Sequence, residues 1–220
     1  MTSIKLVVFD LDGTLIDTID DIGHALNSTL HHYQLPPLSR HEVMDAIGDG
    51  VDDMLRSAIR HSTTINLSEF RNRYRDHYRS QIDAHSRLYD GVGDILAYLH
   101  SVGIKMAILT NKPETPARRL ATLFKIDHYF HVIAGPDTYD AQKPSPVGLQ
   151  AIIRATEASP SNTVMIGDGD TDILTGQGAG TRTISLAYGY RTATVLAALN
   201  PDALVHSMPA AQQVLANWIN

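Results

Sequence analysis

Ile4-Lys5-Leu6-Val7-Val8-Phe9-Asp10-Leu11-Asp12-Gly13-Thr14 reads as a buried strand that runs straight into two carboxylates. The apolar, β-branched run over residues 4–9 has the length and composition of a strand covered on both faces. Residues two apart on extended chain point the same way, so Asp10 and Asp12 are expected side by side. Their like charges are expected to drive their pKa values apart. That separation suits one ionised nucleophile and one acid able to protonate a leaving group. Gly13 lets the backbone turn sharply beside a ligand. An Asp-rich turn that merely ends a strand is the plainer reading of the same residues.

Working outward, the strand pattern returns over residues 105–110, 131–134, 163–166 and 182–186, with helical stretches over 91–101, 115–124, 146–156 and 172–178. Strands alternating with helices of this length indicate βαβ units and a mostly parallel sheet, an α/β Rossmann-like core. Ligands of such sheets sit beyond the carboxyl ends of the strands. Polar residues just after each strand therefore carry the interest.

Three more such places stand out. Thr110 and Asn111 follow the second strand and offer a hydroxyl and an amide to anionic oxygens. Lys143 lies in Lys143-Pro144-Ser145-Pro146, where Ser145 reads as a helix cap and Pro146 as the first helical residue. Gly167-Asp168-Gly169-Asp170-Thr171-Asp172 follows the fourth strand, its carboxylates suited to a hard cation, with one of them capping the next helix. Each motif alone has an ordinary structural explanation. Together they gather carboxylates, a hydroxyl and an ammonium at the strand ends of one sheet, which is what phosphoryl transfer requires.

One interval breaks the rhythm. Residues 17–33, 40–60 and 67–83 read as three helices with no convincing strand before Leu88. Ser39 reads as a helix cap before His41 and Glu42. Phe70, Tyr74 and Tyr78 recur every four residues and line one helix face, while Arg71, Arg75 and Arg79 read as a solvated face rather than a substrate clamp. Gly48-Asp49-Gly50 is either a loop facing the site or an ordinary turn. The interval forms an all-helical insert, residues 16–84, in a core made of residues 1–15 and 85–220.

Composition excludes several functions. The 220 residues carry a formal charge of -6, which argues against nucleic-acid binding and means that an anionic substrate must be attracted locally. The absence of cysteine removes disulfides and a cysteine nucleophile. No apolar run is long enough to span a membrane, and no signal peptide is evident, so a cytoplasmic location is the expectation. The eleven histidines show no metal-ligand spacing.

Asp10-Leu11-Asp12-Gly13-Thr14, Thr110, Lys143 and Gly167-Asp168…Asp172, in this order, resemble the four motifs of the haloacid dehalogenase superfamily, and the insert resembles its helical cap. Thr110-Asn111-Lys112-Pro113, Lys143-Pro144 and Tyr188-Gly189-Tyr190 are similar to the phosphoglycolate phosphatase branch. The resemblance implies a phosphomonoester hydrolase acting on a small phosphorylated metabolite, with 2-phosphoglycolate as a candidate, as a monomer or homodimer. It implies that Asp10 attacks phosphorus and binds Mg2+, and that Asp12 is the general acid, with its backbone carbonyl on the metal. Thr110 and the backbone of Asn111 would bind the phosphoryl group, Lys143 balance charge, Asp168 bind the metal and Asp172 support it. Gly169 stands where the family often has Ser, and Asp170 is an extra acid with no assigned role. Asp12 separates the chain from dehalogenases, and the lack of lysine between Leu15 and Leu88 separates it from phosphonoacetaldehyde hydrolases. The alternatives are a pyrophosphatase or nucleotidase of the same superfamily, or a non-catalytic phospho-acceptor signalling domain.

Overall fold

The computed structural model describes residues 3–48 and 50–219. Six parallel strands form the central sheet: β1 (Leu6–Phe9), β4 (Lys105–Leu109), β5 (Val132–Ala134), β6 (Thr163–Gly167), β7 (Arg182–Leu186) and β8 (Ala203–Val205). Their spatial order is β5-β4-β1-β6-β7-β8. The chain thus builds outward from β1 on one side and then returns to build on the other. Ligands of doubly wound sheets bind where the order reverses, which here is the carboxyl end of β1, between β4 and β6.

The burial of β1 follows from its alternation. Val7 and Phe9 enter the larger apolar cluster, whereas Leu6 and Val8 enter the cluster on the opposite face. Both faces are covered by helices, namely α5 (Val92–Ser101), α6 (Glu114–Leu123), α8 (Val147–Ala155), α9 (Asp170–Ala179) and α11 (Met208–Ile219), with short α7 (Pro136–Tyr139) and α10 (Ala193–Ala198) between strands. The sequence pattern does not announce β8, α10 and α11. Pro146 is the N-cap of α8 rather than its first residue, and Ser145 accepts the Val147 N–H at 3.4 Å.

Among the described residues the insert holds four helices, not three: α1 (Ile19–His32), α2 (Arg40–Ala46), α3 (Val51–Ala58) and α4 (Leu67–Ser80). The expected helix over 40–60 is interrupted because Gly48 and Gly50 adopt φ of 132° and 93°, which a helix cannot accommodate. Asp49 lies outside the described residues. Ser39 caps α2 as expected, its Oγ accepting from the Glu42 N–H while the Glu42 carboxylate accepts from the Ser39 N–H. Phe70, Tyr74 and Tyr78 are all buried. They belong to the same apolar cluster as Val7 and Phe9, so insert and core share one continuous interior.

Two short strands add to the expected set. β2 (Ile16–Asp17) and β3 (Arg87–Leu88) pair antiparallel where the chain leaves and re-enters the core. The buried Asp21 carboxylate ties the return, accepting from the His85 N–H, the Ser86 N–H and the Ser86 hydroxyl. His24 also stands beside Asp21 and His85, but the Asp21 oxygens are committed to this turn. Among the described residues, no helix is long and apolar enough to cross a membrane.

Candidate active site

All seven residues selected from the sequence line one cavity of about 630 Å³ between the carboxyl edge of the sheet and the insert. The parallel arrangement brings them together. Asp10 and Asp12 leave β1 at the centre, Thr110 and Asn111 leave β4 on one side, and Asp168 leaves β6 on the other.

Lys143 is the hub. Its ammonium, almost wholly buried, lies 2.8 Å from Asp10 Oδ1 and donates to Asp172 Oδ1 at 2.6 Å. Burial pushes the Lys143 ammonium down, but the Asp10 and Asp172 carboxylates outweigh it and the net shift is upward. The lysine therefore stays charged. Its backbone is fixed by Asn111, whose side chain accepts the Lys143 N–H at 2.8 Å and donates to the Lys143 carbonyl at 3.0 Å. The same Asn111 amide donates to the Gly48 carbonyl at 2.7 Å, joining the site to the insert.

Asp172 sits in the first turn of α9 and accepts the Gly169 N–H at 2.9 Å. The N-cap of α9 is Gly169, which has no side chain to cap with, so none of the three carboxylates is the expected cap; Asp172 instead reaches back from the third helical position to the N-cap N–H. Asp168 accepts from the Thr14 hydroxyl at 2.8 Å and from the Tyr190 N–H at 2.7 Å. Gly13, at φ 84°, packs against it. A Cβ there would come within 2.4 Å of Asp168 Oδ2, so both conformation and space require glycine. Asp170, without a role in sequence terms, lies 3.4 Å from the Arg191 guanidinium. Arg191 in turn donates to the Met44 and Ile47 carbonyls of the insert at 3.0 and 2.6 Å.

The electrostatics revise one expectation. Asp10 is raised to about 6, chiefly by burial; Lys143 opposes the shift, Asp172 adds to it, and Asp12 contributes least of these. Desolvation, not the Asp10–Asp12 pair, dominates. Asp168 is raised to about 8, again first by burial and then by Asp10 and Asp172. Asp10 and Asp172 thus share one ammonium, while Asp168 stands beside them without it. Asp10, Asp168 and Asp172 bring their ligand oxygens within 4.8 Å of one another. An all-oxygen, electron-rich set of this kind fits a divalent hard cation.

Sequence reasoning missed Lys112 as a site residue. Its ammonium donates to Asp12 Oδ2 at 2.8 Å and lies 4.9 Å from the Tyr78 ring centroid. The other Asp12 oxygen accepts from the Thr18 hydroxyl at 2.6 Å. Thr18 is the N-cap of α1, yet its side chain serves Asp12 instead of the helix. The Thr110-Asn111-Lys112-Pro113 stretch carried the signal, since a lysine just past a strand end belongs to the ligand edge. Arg191 gave no comparable sign.

Comparison with known proteins shows the family. A family model described as haloacid dehalogenase-like hydrolase matches residues 7–186. The chain is 34% identical over 220 residues to the phosphoglycolate phosphatase of Vibrio parahaemolyticus, spanning 97% of this chain and 96% of that protein. It is 34% identical over 223 residues to the phosphoglycolate phosphatase of Chromobacterium violaceum, spanning 97% of each. Among solved structures, one described as a predicted phosphoglycolate phosphatase from Haemophilus somnus matches with a TM-score of 0.93 at 29% identity, spanning 97% of this chain and 99% of that one.

Proposed function

The chain belongs to the haloacid dehalogenase-like hydrolases and is a phosphomonoester hydrolase, and we propose that it is a Mg2+-dependent phosphatase that acts on 2-phosphoglycolate through a phospho-aspartate on Asp10. The observation that carries this reading is the surroundings of Asp10: a carboxylate at the switch point of the sheet, 2.8 Å from a buried ammonium and grouped with Asp168 and Asp172.

Asp10 Oδ attacks phosphorus, and the bond from phosphorus to the leaving oxygen breaks as Asp12 gives that oxygen a proton. The products of this half are phospho-Asp10 and a free alcohol. Water then attacks phosphorus, Asp12 takes its proton, and the bond to Asp10 breaks to release inorganic phosphate. The Thr110 hydroxyl and the Asn111 N–H hold the phosphoryl oxygens, and Lys143 balances charge on them and on Asp10. Asp10, Asp168 and the Asp12 carbonyl would hold Mg2+, with Asp172 supporting them, and the ion supplies charge neutralisation at the phosphoryl group. Residues 16–84 act as a cap over a core of residues 1–15 and 85–220. The substrate assignment draws on the relatives named phosphoglycolate phosphatase.

The test is release of inorganic phosphate from a panel of phosphorylated metabolites with Mg2+, ranked by kcat/KM. We expect 2-phosphoglycolate at the top. Pyrophosphate or a nucleotide at the top would overturn the substrate assignment, and no release from any compound would overturn the catalytic reading.

A further inference from the structure

A second cavity of about 950 Å³ adjoins the first, and the two share Val51, Tyr74 and Lys112 in their walls. Lys112 therefore stands at the junction. Beyond it the wall carries Arg75 and Arg79 of α4 and Arg119 of α6, with Asp137 as the acid among the described lining residues. The carboxylate of Asp137 is already engaged by the Glu114 N–H at 2.8 Å. In a chain of net charge -6, this is a local concentration of positive charge able to attract an anion. Arg71, on the same helix, is instead paired with Asp52 at 2.6 Å.

Two groups have capacity to spare, Lys112 at the junction and Tyr78 in the wall of the second cavity. An ammonium has three donors, and Lys112, 7% exposed, uses one on Asp12 at 2.8 Å. The Tyr78 hydroxyl is buried, 6% of the residue being exposed, and it has no hydrogen-bond partner among the described residues. A buried hydroxyl left without a partner is costly, and Tyr78 lines this cavity beneath the Lys112 ammonium.

We propose that Lys112, with the Tyr78 hydroxyl, binds a carboxylate carried by the leaving group one carbon away from the bridging oxygen. The proposal rests on the phosphatase reading above and assigns the residues that select its substrate. Geometry sets the length. The bridging oxygen must come within hydrogen-bond reach of Asp12 to receive its proton, about 3 Å. Ordinary bond lengths put a carboxylate oxygen about 3 Å further on when one carbon intervenes. The Lys112 ammonium, 2.8 Å from the same Asp12 carboxyl, lies within that reach. The competing role is that Lys112 only orients Asp12, in which case it would serve every substrate alike.

The experiment compares kcat/KM for 2-phosphoglycolate and for ethylene glycol monophosphate, which has the same length but a hydroxyl in place of the carboxylate. We expect wild type to favour 2-phosphoglycolate by about 30-fold or more, the range of a charge-assisted contact. Lys112→Gln should collapse that ratio to within about threefold, mainly through the KM for 2-phosphoglycolate, and Lys112→Arg should keep part of it. A Lys112→Gln loss shared equally by both substrates would overturn the proposal, as would a wild-type ratio near one. If Lys112→Gln does not fold, Tyr78→Phe, which removes only the hydroxyl, decides: it should lower the ratio several-fold, and an unchanged ratio counts against the assignment. Release of phosphate from neither substrate would instead overturn the phosphatase reading itself.

Discussion

The Lys143 ammonium lies 2.8 Å from Asp10 Oδ1, and both atoms are shut away from solvent at the centre of the sheet's carboxyl edge. The ammonium is also held by Asp172 at 2.6 Å. One cation therefore compensates two carboxylates, those of Asp10 and Asp172. Removing one partner of a buried ion pair leaves uncompensated charge and costs about 3–5 kcal/mol. Lys143→Ala should lose about that much unfolding free energy in metal-free buffer at pH 7.5. The loss should shrink near pH 5, where Asp10, raised to about 6, takes up a proton. Urea unfolding at the two pH values measures it, and an equal loss at both would show that charge is not the cause.

Metal binding should couple to pH through the same carboxylates. Burial first, and then neighbouring carboxylates, raise Asp10 to about 6 and Asp168 to about 8 from the ordinary 3.8. Between those values the native state holds protons that the unfolded chain has released. The metal-free protein is thus most stable below about pH 4 with respect to these two groups, and it loses that contribution as pH rises to about 8. Mg2+ needs the ionised forms and competes with the protons. Saturating Mg2+ should raise Tm more at pH 8 than at pH 5. Equal increments in a thermal-shift measurement would remove Asp10 and Asp168 from the metal site.

Much of this site is legible in the sequence. β1, β4 and β6 are largely apolar or β-branched runs followed by polar residues, and a parallel sheet obliges such ends to share one edge. That logic puts Asp10, Thr110 and Asp168 in one cavity, where they stand, while Lys143, between α7 and α8, is picked out by its Lys143-Pro144-Ser145-Pro146 motif and lines the same cavity. What stays hidden depends on contacts made at long range. Lys112 reaches Asp12 across 100 positions, and no local pattern states its destination. β2 and β3 are two residues each, too short for any periodicity, and exist because they pair with one another. The break between α2 and α3 is written in Gly48 and Gly50, yet glycine alone does not say whether a helix stops or merely weakens.

Arg191 joins the two halves of the cavity wall. Its guanidinium donates to the Met44 and Ile47 carbonyls and lies 3.4 Å from Asp170. Arg191→Ala should free the segment around Ile47. Hydrogen exchange at the amides of 44–48 should quicken about tenfold or more, consistent with losing charge-assisted bonds, while β1 and β6 amides keep their protection. Uniform quickening across the chain would mean general destabilisation rather than a local tie.

The acid role proposed for Asp12 has a substrate-dependent signature. An alkoxide leaving group needs a proton as its bond to phosphorus breaks, whereas p-nitrophenolate leaves without one. Asp12→Asn should lower kcat for alkyl phosphates by about 10²–10⁴-fold, and for p-nitrophenyl phosphate by much less in the first half-reaction. Rapid-mixing measurement of p-nitrophenol release separates that half from hydrolysis. Equal losses in the first half-reaction for both substrate types would remove Asp12 as the acid.

The central claim is that phosphorus passes through Asp10. The most direct measurement is acid quench of a single turnover with 32P-labelled 2-phosphoglycolate and Mg2+, followed by borohydride reduction and peptide mass mapping. An acyl phosphate is reduced to the alcohol, so Asp10 should appear as homoserine in the peptide spanning residues 6–14, and Asp10→Asn should show neither label nor reduction. Label on another residue, or full turnover with no protein-bound label at any quench time, would contradict it.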